Sequence, residues 1–161
     1  VCKALWLADR MEVSPFVCVQ NNYNLLNREL EREMLPLVRD QGLGVMAFSP
    51  LQVGLLSGAY VPGRPPPAGS LWSERRQEFD EVFCGATVQM VETVREVADQ
   101  RGVSMPQVAV NWVRSHQEIS VVITGSDSIE QFDDNRAACD WELSDEELNR
   151  LNERFVEMMV W

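Results

Sequence analysis

Gly42-Leu-Gly-Val-Met-Ala-Phe-Ser-Pro-Leu-Gln-Val-Gly-Leu-Leu-Ser-Gly-Ala-Tyr60 decides how this chain is read. A short apolar run, Val45-Met-Ala-Phe48, passes straight into a polar loop punctuated by glycine. Carboxyl ends of strands that open into such loops are where α/β proteins hold ligands. Gly42 supplies a stop for a preceding helix, so the stretch reads helix, strand, loop.

Working outward toward the amino terminus, Glu29 to Gln41 carries a helical stripe of Leu30, Met34, Leu37 and Val38. Pro36 either kinks that helix or restarts it at its first turn. Before it, Phe16-Val-Cys-Val-Gln20 is β-branched and apolar, as expected of a parallel strand buried on both faces. Residues 2 to 12 read as a helix, with Ala4, Leu5, Ala8 and Met11 on one face and Pro15 beyond its end.

Toward the carboxyl terminus, residues 61–79 are read as a loop, because 61–70 hold four prolines and two glycines. Glu81 to Arg101 repeats Val88, Val91, Val94, Val97 and Ala98 at helical spacing and stops at Gly102. Ser104-Met-Pro-Gln107 opens another helix with Ser104 as its cap and Val108, Trp112 and Val113 as its buried stripe. Ile119 to Thr124 is the third strand. Asp127 to Ala138 and Ser144 to Met158 follow as helices, the latter entered through the capping box Ser144-Asp-Glu-Glu147.

This order implies an α/β fold: a partial (β/α)8 TIM barrel of about three parallel strands with flanking helices, all in one domain over residues 1–161. A closed barrel of that kind takes about 250 residues. Three parallel strands alone leave two open edges. The chain is therefore expected to be completed by missing strands, such as an amino-terminal half, or covered by a second copy in a homo-oligomer.

Composition bounds the rest. Apolar residues make up 45% and charged residues 24%, which suits a folded domain. The net charge of −11 is uneven, with 8 basic and 9 acidic residues in 1–80 against 6 and 16 in 81–161. That acidic second half excludes nucleic acid as a partner. No apolar run approaches the length of a membrane span, and the opening residues are amphipathic rather than signal-like, so no membrane is expected and the location is read as cytoplasmic. Cys2, Cys18, Cys84 and Cys139 lack metal-ligand spacing and are read as free, mostly buried thiols.

Each strand ends in small or polar groups: Gln20-Asn-Asn22, Ser49-Pro50 and Thr124-Gly-Ser126. In a parallel layout these ends share one face and converge on one ligand. Gly125-Ser-Asp-Ser-Ile-Glu-Gln131 enters a helix whose first amides suit an anion, although Asp127 or Ser128 equally serves as a plain helix cap. Phe48 offers a ring for stacking or for the core. Trp6, Trp112 and Trp141 are read as packing. Lys3 and His116 lie far apart, His116 reading as a surface turn residue, so no acid–base set is evident.

Gln20-Asn-Asn-Tyr-Asn-Leu-Leu-Asn-Arg28, Phe48-Ser-Pro-Leu51, Gly54-Leu-Leu-Ser-Gly-Ala-Tyr60, Gly125 through Gln131 to Asn135, and Trp141-Glu-Leu-Ser-Asp-Glu-Glu147 resemble the aldo-keto reductases, in order and over nearly the whole chain. The resemblance is to the carboxyl-terminal half of that family's barrel, whose parent reaction is NADP(H)-dependent reduction of aldehydes and ketones. It implies that Gln20 meets the nicotinamide carboxamide, that Phe48 stacks on the ring, and that Ser49, Pro50, Leu51, Gln52 and Val53 lie along the pyrophosphate. By the same resemblance, Gly125, Asp127, Gln131, Asp134 and Asn135 surround the adenosine end. The family's catalytic aspartate, tyrosine, lysine and histidine belong to earlier strands that this chain does not contain, so no catalytic residue is assigned and the isolated chain is expected to be inactive. Ala59, Leu71 and Asp127 depart from the family's pattern, each losing a cation or adding an anion near phosphates. Arg64 and Arg75 are the candidate replacements. The cofactor is NADP, with NAD or none kept open, and a non-catalytic self-associating half barrel is the alternative function.

Overall fold

A computed structural model of the chain describes residues 1–159, with side chains through Phe155. In chain order the elements are α1 (Cys2–Arg10), β1 (Cys18–Asn22), a 3-10 turn (Glu29–Glu31), α2 (Met34–Gln41), β2 (Gly44–Phe48) and a second 3-10 turn (Leu55–Ser57). There follow α3 (Leu71–Glu74), α4 (Arg76–Val82), α5 (Gly85–Arg101), α6 (Met105–Arg114), β3 (Ile119–Ile123), α7 (Ile129–Ala137) and α8 (Asp145–Met159).

Local chemistry sets the boundaries. Gly42 ends α2 at φ 65°, in the left-handed region where a side chain is unfavourable, and its amide bonds back to Val38. Pro36 is the third residue of α2, inside the first turn, where its missing N–H breaks no intrahelical bond. Ser104 caps α6 by accepting from the Gln107 amide, and Pro106 sits in that helix's first turn. At α8 the capping box closes both ways: the Ser144 amide donates to Glu147 Oε2 at 2.7 Å, and the Glu147 amide donates to Ser144 Oγ at 3.3 Å.

The three strands form one parallel sheet in the order β1-β2-β3, with Gln20 level with Met46, and Phe48 level with both Asn22 and Ile123. Because side chains alternate across a strand, Val45 and Ala47 point to one face and are wholly buried. There they meet Val91, Val94, Val108 and Trp112 in the core, with α5 packed against both α6 and α8. Gly44, Met46 and Phe48 take the opposite face and are only half-buried. Among the described residues no further strand flanks β1 or β3, so both sheet edges are open.

Several expectations are corrected. The first strand lies two residues later than expected, and it is half-exposed rather than buried on both faces, because helices cover only one side of the sheet. Helix α1 forms but buries no residue, and Trp6, expected to pack, is 52% exposed with Arg10 over its ring. The expected helix over 29–41 is split into a turn and α2, and Leu35 rather than Leu37 joins the core. Residues 61–70 are irregular as expected, but 71–79 are not loop: Ser70 caps α3, and Trp72, Phe79 and Phe83 bury themselves beside Tyr60. All four cysteines are free, and all are exposed rather than buried. No described helix is long and apolar enough to cross a membrane.

Candidate functional site

The carboxyl ends of β2 and β3 open into one cleft of about 1060 Å³. Its size stands at the top of the range of about 300–1,000 Å³ for small-molecule and cofactor sites. One wall is Phe48, Ser49, Pro50, Leu51 and Val53, and the facing wall is Gly125, Asp127, Gln131, Asp134 and Asn135. A third side comes from Gly58 to Tyr60 and from Gly69 to Leu71. Ten of the twelve residues expected at a site therefore line one cavity.

Gln20 and Gln52 do not line it. Gln20 lies on β1, level with Met46, and is exposed on the open side of the sheet. Gln52 turns inward, its side-chain Oε1 accepting from Asn24 Nδ2 at 2.8 Å. Asn24 is wholly buried, and the same Nδ2 also donates to the Ser49 carbonyl at 2.9 Å. Trp72 Nε1 donates to the Val53 carbonyl at 3.0 Å. Sequence reasoning assigned no role at the loop to Asn24 or Trp72, since both act on backbone carbonyls about twenty residues or more away in sequence.

The second wall is tied together by its own side chains. Ser128 is the cap of α7, its Oγ accepting from the Gln131 amide, which favours the plain-cap alternative for this helix start. Gln131 reaches back to accept from the Asp127 amide at 2.8 Å. Buried Asn135 donates to Ser126 Oγ at 3.1 Å and to the Gly125 carbonyl at 3.4 Å, fixing the turn that follows β3. Asp134 accepts from Ser104 Oγ at 2.7 Å and from Gln107 Nε2 at 2.6 Å, joining α7 to the start of α6.

The electrostatics of the cleft are one-sided. Its only charged lining side chains among the described residues are Asp127 and Asp134, and no lysine or arginine joins them. Arg64 and Arg75, considered as replacement cations, do not line it, and Arg75 lies 3.7 Å from Glu78. Tyr60 lines the cleft, whereas Tyr23, His116 and Lys3 do not. Tyr23 is buried and donates to Glu31 at 2.6 Å; burial, with that hydrogen bond, pushes its phenol well above the usual range. His116 is half-buried against the rings of Trp112 and Tyr23, not the surface turn residue expected. Burial lowers its pKa, partly offset by its Nδ1 donating to the Trp112 carbonyl at 2.9 Å. Lys3 lies on α1, which buries nothing.

A family model described as "Aldo/keto reductase family" matches residues 1–154. The chain is 32% identical over 142 residues to a probable voltage-gated potassium channel subunit beta of Oryza sativa subsp. japonica, covering 87% of this chain and 43% of that one. It is 30% identical over 158 residues to an L-glyceraldehyde 3-phosphate reductase of Escherichia coli O157:H7, covering 91% and 44%. It is also 30% identical over 139 residues to an NADH-specific methylglyoxal reductase of Escherichia coli strain K12, covering 84% and 40%. The chain thus spans less than half the length of these curated relatives.

Proposed function

The chain belongs to the aldo/keto reductase family, and on that premise we propose that it is the carboxyl-terminal, cofactor-holding part of an NAD(P)H-dependent carbonyl reductase. The observation that supports this reading is convergence: the loops after β2 and β3 enclose a single cleft containing ten of the twelve residues assigned by resemblance. In this reading Phe48 offers its ring to the nicotinamide, 49–53 runs along the pyrophosphate, and 125–135 holds the adenosine end. Gln20, one strand away on the open side of the sheet, is the carboxamide contact. A bound reduced nicotinamide supplies hydride to a carbonyl carbon. This chain's own residues bind and orient, with Pro50 and Leu51 excluding water along one wall.

The proton must come from elsewhere in this reading. Tyr60, Asp127 and Asp134 line the cleft, and among the described residues no histidine or lysine lines it to form an acid–base set with Tyr60. The parent chemistry takes NADPH or NADH, as the name of the NADH-specific methylglyoxal reductase illustrates for one relative. The acidic lining favours NADH here. A third phosphate would face Asp127 without a cation, whereas a ribose hydroxyl can donate to a carboxylate.

Fluorescence titration of the purified chain tests this reading. NADH is expected to bind at least tenfold more tightly than NADPH, the order of one charge-assisted bond, about 1.5–3 kcal/mol. Tighter NADPH binding would refute the charge argument, and turnover of a simple aldehyde by the chain alone would refute the missing proton donor.

A second reading, a self-associating half barrel without catalysis, is favoured by the open strand edges. Val121 in β3 is 45% exposed, Ile129 and Phe132 on α7 are 75% and 56% exposed, and Val17 just before β1 is 74% exposed. Sedimentation separates the two: a stable monomer with ordinary amide protection on β1 and β3 counts against self-assembly.

A further inference from the structure

The loop that forms one wall of the cleft has an uncommon backbone. Ser49, Gln52 and Val53 all take left-handed φ, at 56°, 46° and 53°, and Gly54 follows at 84°. Only glycine occupies that region without penalty, and a β-branched residue such as Val53 is the least suited to it. Three such residues within five positions persist only where their surroundings over-determine them.

Two buried side chains, neither of which lines the cleft, hold the loop at its two ends. Asn24, wholly buried, is first fixed by its own turn: its Oδ1 accepts from the amides of Leu26 and Asn27, each at 2.9 Å. Its Nδ2 then holds the Ser49 carbonyl and the Gln52 side chain. At the other end Trp72, 8% exposed and packed on Phe79, holds the Val53 carbonyl through Nε1. The two anchors come from the turn after β1 and from α3.

We propose that Asn24 and Trp72 are positioning residues that clamp 49–54 in its strained form, so that the cleft wall is preset for its ligand by side chains that never touch it. The ligand's identity rests on the reading given under Proposed function; the clamp itself does not. Within the loop the clamped form is reported by four amides: Gln52 bonds to Ser49, Leu55 to Gln52, Leu56 to Leu51 and Ser57 to Gly54, all between 3.0 and 3.2 Å.

Trp72→Phe carries the test, because it keeps a buried ring and removes only the N–H donor. Amide exchange at Gln52, Leu55, Leu56 and Ser57 is expected to accelerate about fivefold, the factor of one neutral hydrogen bond, and the NADH dissociation constant to rise by a similar factor. Exchange in α5 and α6 should stay unchanged. Val53→Asn, which places a residue tolerant of the left-handed region at the most strained position, should restore the exchange rates in the Trp72→Phe background; exchange alone is read in that variant, because Val53 lines the cleft. Unchanged exchange at 52–57, a loss of protection spread through α5 and α6, or failure of Val53→Asn to rescue would each overturn the proposal. If the unsubstituted chain binds neither NADH nor NADPH, the cofactor reading fails, and the exchange and rescue measurements still decide the clamp.

Discussion

Asn111 is 1% exposed at the middle of α6, and its side chain holds the segment between α7 and α8. Its Nδ2 donates to the carbonyls of Ala138 at 3.1 Å and Trp141 at 2.7 Å, and its Oδ1 accepts from the Leu143 amide at 3.3 Å. Asn111→Ala removes all three bonds. Arg114 Nη2 still donates to the Trp141 carbonyl at 2.7 Å, so the groups orphaned in the interior are the Ala138 carbonyl and the Leu143 amide. Each orphaned group costs about 1–3 kcal/mol, so the two together predict a loss of about 3 kcal/mol. Against a total stability of about 5–15 kcal/mol the variant still folds. With a urea slope of about 2 kcal/mol/M, the midpoint should fall by about 1.5 M at an unchanged slope. Asn111→Asp should fall further at pH 7, because it sets an unpaired anion against carbonyl oxygens. A midpoint shift below about 0.5 M for Asn111→Ala, or an aspartate variant as stable as the alanine one, would refute this account of the α6 to α8 connection.

Acid should weaken the fold through His116, whose pKa burial holds below its ordinary 6.5. The unfolded chain takes up that proton first, so stability is full above about pH 6.5 and declines as pH falls through the window beneath it. The urea midpoint should be lower at pH 5.5 than at 7.5, and His116→Asn should flatten the difference. Glu147, whose pKa the Arg101 hydrogen bond draws down to about 2, adds its loss only below about pH 4.5, outside that comparison. Arg28 bonds to Glu31 at 2.6 and 2.9 Å and to Asn152 at 2.9 Å, between the rings of Trp112 and Phe155. Arg28→Met should cost about 2–3 kcal/mol by denaturation, less than a fully buried pair because Glu31 is 29% exposed. Gly58 has φ 82°, and a Cβ there would lie 2.9 Å from Met105 Sδ, so Gly58→Ala should lose about 1–2 kcal/mol, read as a melting point about 5 °C lower.

Local signals made much of the fold legible. Val45 to Phe48 and Ile119 to Thr124 are compact apolar runs, and Gly42, Gly102, Ser104 and Ser144 mark helix ends by chemistry that acts within a few residues. At the cleft, the strand-end pattern marked Ser49, Pro50 and the turn from Thr124, while Leu51, Val53, Asp134 and Asn135 were reached only through the family resemblance. What pattern could not supply was the partner of each face. The stripe on α1 and the apolar run before β1 signal burial, yet no described element covers them. The helices at 71–74 and 76–82 were hidden by the prolines just before them, although Trp72, Phe79 and Phe83 form an aromatic cluster with Tyr60. His116 reads as a turn residue from its neighbours in sequence, and only the fold brings Tyr23 from 93 positions away onto its ring. Asn24 and Trp72 escaped because a side chain that grips a distant carbonyl leaves no periodic trace.

The central claim, that the ends of β2 and β3 jointly hold a nicotinamide dinucleotide, is tested most directly by mapping amide chemical shifts of the purified chain as NADH is added. The account predicts saturable shifts concentrated at 48–53 and 124–135 together, sparing α8 and the far end of α5. Shifts confined to one of the two loops or scattered outside the cleft, or none at millimolar NADH in a folded chain, would contradict it.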